Sequence, residues 1–230
     1  PPNKPALLTL EEVETFLHEF GHALHGMFAN TRYASMSGTS VYRDFVELPS
    51  QIMENFAIEK EFLHTFARHY QTGELLPDEY VERIIRASNF NVAYACLRQV
   101  SFGLLDMAWY TRHEDFDGDV RAYEQEAWAK AQLLPVVPGT CMSVQFSHIM
   151  DGGYSAGYYS YKWAEVLDAD AFSVFKQKGI FNREVAASFR ERILSKGGTE
   201  HPMVLSRRFR GQEPTIEALL RRNGIITGDK

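Results

Sequence analysis

Residues 18–25 read HEFGHALH, three histidines and a glutamate within eight positions. On a helix each residue advances 100°, so His18 and His22 leave the same face with their rings one turn apart. Two imidazoles so placed suit one zinc ion, and Glu19, next along, can take a proton from a water attacking beside the metal. His25 shares the face but lies two turns from His18, so it is expected to be structural or an outer partner that steadies a ligand. The pattern H-E-x-x-H is complete. The longer form with a third histidine needs glycine at 25 and histidine at 28, where the chain has His25 and Phe28. Catalytic zinc sites use three protein ligands and leave a fourth position open, so the third must come from elsewhere. The following helical stretch offers Glu47, Glu54, Glu59 and Glu61, and spacing alone does not choose among them. Glu47 and Glu54 lie two turns apart on one face, which suits a ligand and a carboxylate that orients a ligating histidine.

The elements that must position these groups are helical. Thr9-Leu10-Glu11-Glu12 forms a capping box, and Val13, Phe16, Leu17, Phe20, Leu24 and Phe28 follow at helical spacing, so a helix is expected over about 10–29. Residues 33–41 read as loop or short strand. A second helix starts near 46 with Pro49 in its first turn. Pro77-Asp78-Glu79 opens a long helical segment to about 113, and another covers roughly 119–133, ended by Leu134-Pro135-Val136-Val137-Pro138-Gly139. Residues 141–150 look extended, and DGGYSAGYYSY (151–161) is a glycine-rich turn entering a further helix. The expected fold is mainly α, a multi-helix domain with at most a small β-sheet near the active site.

Composition bounds the partners. The 230 residues, 45% of them hydrophobic, are enough for one domain with a sizeable core. A formal net charge of −6 argues against a nucleic-acid partner, and the basic clusters Arg207-Arg208-Phe209-Arg210 and Arg221-Arg222 read as solvated faces. No apolar run approaches a membrane span. Two cysteines, Cys96 and Cys141, are too few for a disulfide framework and fit a reducing, cytoplasmic compartment. Asp115, Asp117, Gly118 and Glu124 mimic part of a calcium loop, but His113 occupies its first ligand position, so an acidic connection is expected. The start, Pro1-Pro2-Asn3-Lys4-Pro5, lacks methionine and reads as a linker within something longer.

Three separated motifs carry a family resemblance. HEFGHALH, SGTSVYRDFVELPSQIMEN and HIMDGGYSAGYYSYKWAEVLDADAF, in that order, resemble the thimet oligopeptidase, oligopeptidase A and peptidyl-dipeptidase Dcp family of zinc metallopeptidases. The likeness runs over about residues 4–225. It implies one zinc ion per chain on His18, His22 and Glu47, with Glu19 as base and acid and Glu54 as the outer partner. It also implies roles for His148, Tyr154, Tyr158 and Tyr161. A phenol O–H aimed at the developing oxyanion stabilises the transition state more than the ground state, and Tyr161 and Tyr154 are the candidates for that donor. His148 would hold the substrate backbone or the intermediate, and Tyr158 with Gly152 and Gly153 would meet the substrate, while Tyr159 and Trp163 are expected to pack. The implied substrates are short peptides, cut by release of C-terminal dipeptides as in the bacterial Dcp branch, or internally as by an oligopeptidase. Family members are much longer, so 1–230 would be a single catalytic domain forming the C-terminal part of such a peptidase, without its N-terminal helical part. The competing class is a zinc-stabilised helical module that binds peptides without cutting them. Glu19 argues against it, because a structural zinc site needs no base.

Overall fold

The computed structural model describes residues 3 and 5–226; of the proline-rich start, Pro1, Pro2 and Lys4 lie outside them. The described chain is α-helical and contains no sheet. Its one isolated β-bridge joins Arg68 and Leu75.

Helix α1, Leu10–Met27, begins at the capping box: Glu12 N–H donates to the Thr9 hydroxyl at 3.2 Å, and Thr9 N–H to the Glu12 carboxylate at 2.7 Å. It buries Leu17, Gly21 and His25. A Cβ on Gly21 would meet the Pro49 carbonyl oxygen at 2.2 Å, so only glycine lets this helix approach the next so closely. The apolar spacing does not mark a uniformly buried stripe. Phe16 is 62% exposed and stacks on Phe20, with ring centroids 6.2 Å apart.

Helix α2, Leu48–Glu54, carries proline in its first turn and is shorter than the spacing suggests. It passes into a 3-10 turn, Asn55–Ile58, because the Asn55 amide donates back to the Gln51 carbonyl at 3.0 Å and across to Asp168 at 2.8 Å. Helix α3 is Lys60–Phe66. The long segment expected from 77 to 113 is two helices, α4, Asp78–Ser88, and α5, Val92–Tyr110. Between them Asn91 takes a left-handed conformation with φ 59°, which asparagine tolerates and a continuing helix does not. Helix α6, Val120–Trp128, is capped by Asp119, and a 3-10 turn, Ala129–Ala131, extends it.

Residues 141–150 form no strand. They are turns leading to a short helix α7, Ser147–Met150, and the segment is held by a buried side chain instead of a ladder. The Glu124 carboxylate accepts from Met142 N–H at 2.9 Å, from Ser143 N–H at 2.6 Å and from the Ser143 hydroxyl at 2.7 Å. Glu124, the last position of the acidic pattern, is thus committed to this segment, in keeping with an acidic connection. Helices α8, Ser160–Lys178, α9, Arg183–Arg192, α10, Pro202–Arg210, and α11, Glu217–Arg222, complete the described chain.

The chain divides into two compact units, Pro1–Phe90 with Ala164–Lys230, and Asn91–Trp163. The first packs Phe45, Leu48 and Ile52 against Leu167, Phe172 and Phe175 of α8. The second packs Leu105, Trp128, Phe146, Ile149 and Tyr158. The basic clusters are not simply solvated. Arg210 pairs with buried Asp170 at 3.1 Å, Arg222 with buried Asp168, Arg208 with Glu200 at 2.6 Å and Arg207 with Glu213 at 2.9 Å. Both cysteines are free thiols, and no helix among the described residues is long and apolar enough to cross a membrane.

Candidate functional site

In the first unit, α1 presents His18 and His22 from one face, and Glu47 stands at the N-terminal boundary of α2. The Glu47 carboxylate is 1% exposed. Its Oε2 lies 3.3 Å from His18 Nε2 and 3.3 Å from His22 Nε2, and the two rings stand 5.0 Å apart at 84°. Among the described residues these three form the only group of such donors close enough to share an ion, with all ligand atoms within 4.8 Å of one another. The Ser50 hydroxyl, fully buried one turn along α2, donates to the same carboxylate at 2.8 Å and fixes its orientation. Glu54 reaches His18 Nδ1 at 2.5 Å, which leaves Nε2 aimed at the cluster.

The electrostatics fit a cation. Burial works against a charge on His18, yet hydrogen bonds to Glu47 and Glu54 outweigh it and raise its pKa to about 10. Glu47, which faces both Nε2 atoms, could hold a metal ion there, while Glu54 contacts only the outer nitrogen of His18. Two imidazole nitrogens and one carboxylate oxygen are a donor set suited to zinc. The other two acids of the stretch are elsewhere: Glu59 pairs with Lys176 at 2.7 Å and Glu61 is exposed. Glu19 is also exposed, at the solvent side of α1.

His25 is fully buried, and neither ring nitrogen finds a hydrogen-bond partner among the described residues. It does not reach Glu47 or Glu54. Burial first, and the charge of His22 second, lower its pKa to about 4, so it is a neutral core side chain at ordinary pH.

In the second unit the glycine-rich turn gathers His148, Tyr154, Tyr158 and Tyr161. The His148 ring lies 6.1, 5.9 and 6.1 Å from those of Tyr154, Tyr158 and Tyr161, and Tyr154 stacks on Tyr161 at 5.0 Å. A Cβ on Gly152 would come within 2.9 Å of the His148 Cα, and Gly153 has φ 82°, so both glycines are needed for the turn to fold back on α7. Burial raises the Tyr158 pKa, partly offset by Gln99 and the charge of Arg98, so its phenol stays a proton donor. Tyr159 and Trp163, expected to pack, are 50% and 37% exposed. They are the outward positions where the turn enters α8.

Two positioning residues escape a reading from spacing. Asp106, fully buried in α5, accepts from Ala156 N–H at 2.8 Å and Tyr158 N–H at 2.9 Å, holding the turn where Ala156 takes a left-handed φ of 54°. Its signal is an acid inside the apolar stretch FGLLDMAW. Ser50 is the other, and its only sequence signal is its place one turn after Glu47.

Comparison with known proteins decides the family. A sequence model described as Peptidase family M3 matches residues 1–225. The chain belongs to peptidase family M3. It is 49% identical to oligopeptidase A of Escherichia coli over 96% of its length, and 43% identical to dipeptidyl carboxypeptidase of the same organism over 96%. To the probable cytosolic oligopeptidase A of Arabidopsis thaliana it is 42% identical over 97%. In each case the chain spans 33% of the relative, about one third of its length. Relatives of both named activities are thus present among M3 proteins similar to this chain, and identity is the higher to the oligopeptidase.

Proposed function

We propose that this chain carries the metal and acid–base centre of a zinc-dependent M3 peptidase that hydrolyses peptide bonds in short peptides. The observation that carries the reading is the convergence of His18 and His22 on the buried Glu47 carboxylate. These three residues would hold one zinc ion, with Glu54 and Ser50 orienting them. Bound there, zinc supplies Lewis-acid polarisation of the substrate carbonyl and lowers the pKa of water.

Glu19 accepts the proton of the attacking water as its oxygen bonds to the carbonyl carbon. It then returns that proton to the amine nitrogen as the C–N bond breaks. Tyr161 and Tyr154 donate phenol O–H groups to the oxygen on which charge builds, and His148 holds the peptide backbone. Tyr158, Gly152 and Gly153 shape the substrate side of the turn. In this reading residues 1–230 act as one catalytic domain. Two free cysteines and the name of the cytosolic relative support a cytoplasmic setting.

The finer reading is release of C-terminal dipeptides, supported by the dipeptidyl carboxypeptidase relative. The 49% identity to oligopeptidase A favours internal cleavage as the second reading. Mass spectrometry of an N-terminally blocked nonapeptide, incubated with chelator-stripped protein before and after zinc is restored, tests both. Stepwise loss of two C-terminal residues is the expected outcome. Internal fragments would select the oligopeptidase, and an intact peptide beside one bound zinc would contradict hydrolysis by this chain.

A further inference from the structure

The basic pair Arg221-Arg222 ends α11, and its second member turns into the first unit. The Arg222 guanidinium donates to the Asn55 side-chain oxygen at 2.8 Å and to the buried Asp168 carboxylate of α8. The Asn55 amide nitrogen closes the triangle, donating to the same Asp168 oxygen at 2.8 Å and to the Gln51 carbonyl at 3.0 Å. Both ends of the Asn55 amide are therefore taken, and a fully bonded buried network of this kind holds its members in one arrangement. Burial raises the Asp168 pKa to about 6, with Arg222 and Asn55 opposing the rise, so the guanidinium is what keeps this carboxylate ionised near neutral pH.

The network ends beside the metal centre. Asn55 directly follows Glu54, whose carboxylate meets His18 Nδ1 at 2.5 Å. Glu47, at the other end of α2, faces the Nε2 atoms of His18 and His22. One helix of seven residues thus separates the two carboxylates of the centre. Isolated helices shorter than about 12–15 residues are marginal in water, so the place of α2 is set by what holds its ends. Close contact with Gly21 holds it at Pro49, and Asn55 ties its far end to α8 and α11. Arg222 is also within electrostatic reach of Glu54. Burial opposes the guanidinium charge, while Asp168, Glu165 and Glu54 favour it and raise the Arg222 pKa.

We propose that Arg222 is a positioning residue for the metal centre, holding Glu54 on His18 through Asn55 and the end of α2. The inference rests on the reading of His18, His22 and Glu47 as ligands of one zinc ion. Helix α8 supplies a matched control. Two residues after Asp168, buried Asp170 pairs with Arg210 of α10 at 3.1 Å, and neither residue hydrogen-bonds to α1 or α2 among the described residues.

A double-substitution cycle tests the assignment, with zinc affinity read by chelator competition beside the thermal midpoint. Arg222→Gln should weaken zinc roughly tenfold, as loss of a group that orients a ligand does, and Arg222→Lys should recover part of that loss. Glu54→Ala should weaken zinc at least as much, and adding Arg222→Gln to it should cost less than about twofold more, because both act along one path. Arg210→Gln should lower the midpoint and leave zinc affinity unchanged. Asn55→Leu keeps the pair of Asp168 with Arg222 and cuts its link to α2, so it should weaken zinc as Arg222→Gln does. It carries the test if the arginine variant fails to fold. Losses that multiply in the double variant would overturn the proposal, as would zinc affinity unmoved by Arg222→Gln or, where that variant does not fold, by Asn55→Leu. Failure of the wider reading looks different. Unsubstituted protein that binds zinc but leaves peptides uncut loses the peptidase reading while the cycle still decides for Arg222, and unsubstituted protein that binds no zinc removes both.

Discussion

The cluster on α1 and α2 is held by charge, whereas the cluster around His148 is held by packing. In the first, a buried carboxylate accepts from Ser50 and faces two imidazoles, and Glu54 on His18 Nδ1 leaves Nε2 pointing inward. In the second, four rings touch at 5–6 Å, and a buried acid, Asp106, binds backbone amides of the turn and no ring. The difference teaches that a metal centre must fix atoms to fractions of an ångström through hydrogen bonds. A set of phenols needs only a scaffold that stops the turn from moving.

The largest effect that would break the comparison is expected at Glu47. Glu47→Gln keeps the shape and the Ser50 contact but removes the charge, and zinc affinity should fall roughly a thousandfold by chelator competition, with the aromatic cluster unaffected. Asp106→Ala should do the reverse. It strands two amide donors, at Ala156 and Tyr158, and should cost about 3 kcal/mol by chemical denaturation while zinc still binds one per chain. If both substitutions damage both properties equally, the two clusters are not separately built.

A pH series separates them further. His25 titrates near 6.5 when unfolded and at about 4 in the fold. On acidification the unfolded chain therefore binds the proton first. Stability from this group is full above pH 6.5 and is lost as pH falls through 4, by at most about 3 kcal/mol. Urea midpoints at pH 7.5 and 4.5 should show the loss, and His25→Leu should flatten this part of it. The smallest effect belongs to Glu54. Because it only orients His18, Glu54→Gln should weaken zinc roughly 10-fold to 100-fold and leave one ion bound.

Local signals were legible in the sequence and distant ones were not. The spacing of His18 and His22 and the capping box at Thr9 are properties of one helix, and both hold as read. Spacing could not choose among Glu47, Glu54, Glu59 and Glu61, because burial of the first and the pairing of Glu59 with Lys176 depend on chain more than 100 residues away. The break at Asn91 overrides a helical pattern through one left-handed residue. Residues 141–150 looked extended because their apolar positions serve Glu124 and the second core instead of a strand partner. Phe16 and Phe20 follow the same helical period as Leu17 yet face outward, which periodicity alone cannot show.

The central proposal is that Glu19 would act as base for a metal held by His18, His22 and Glu47, which would make this chain a hydrolase. Its most direct test compares zinc content and peptide turnover of the protein with those of Glu19→Gln, side by side. The account expects one zinc per chain in both and a loss of turnover of roughly 100-fold to 10,000-fold in the variant, the usual contribution of a positioned general base. Equal turnover, or none in either despite bound zinc, would contradict it.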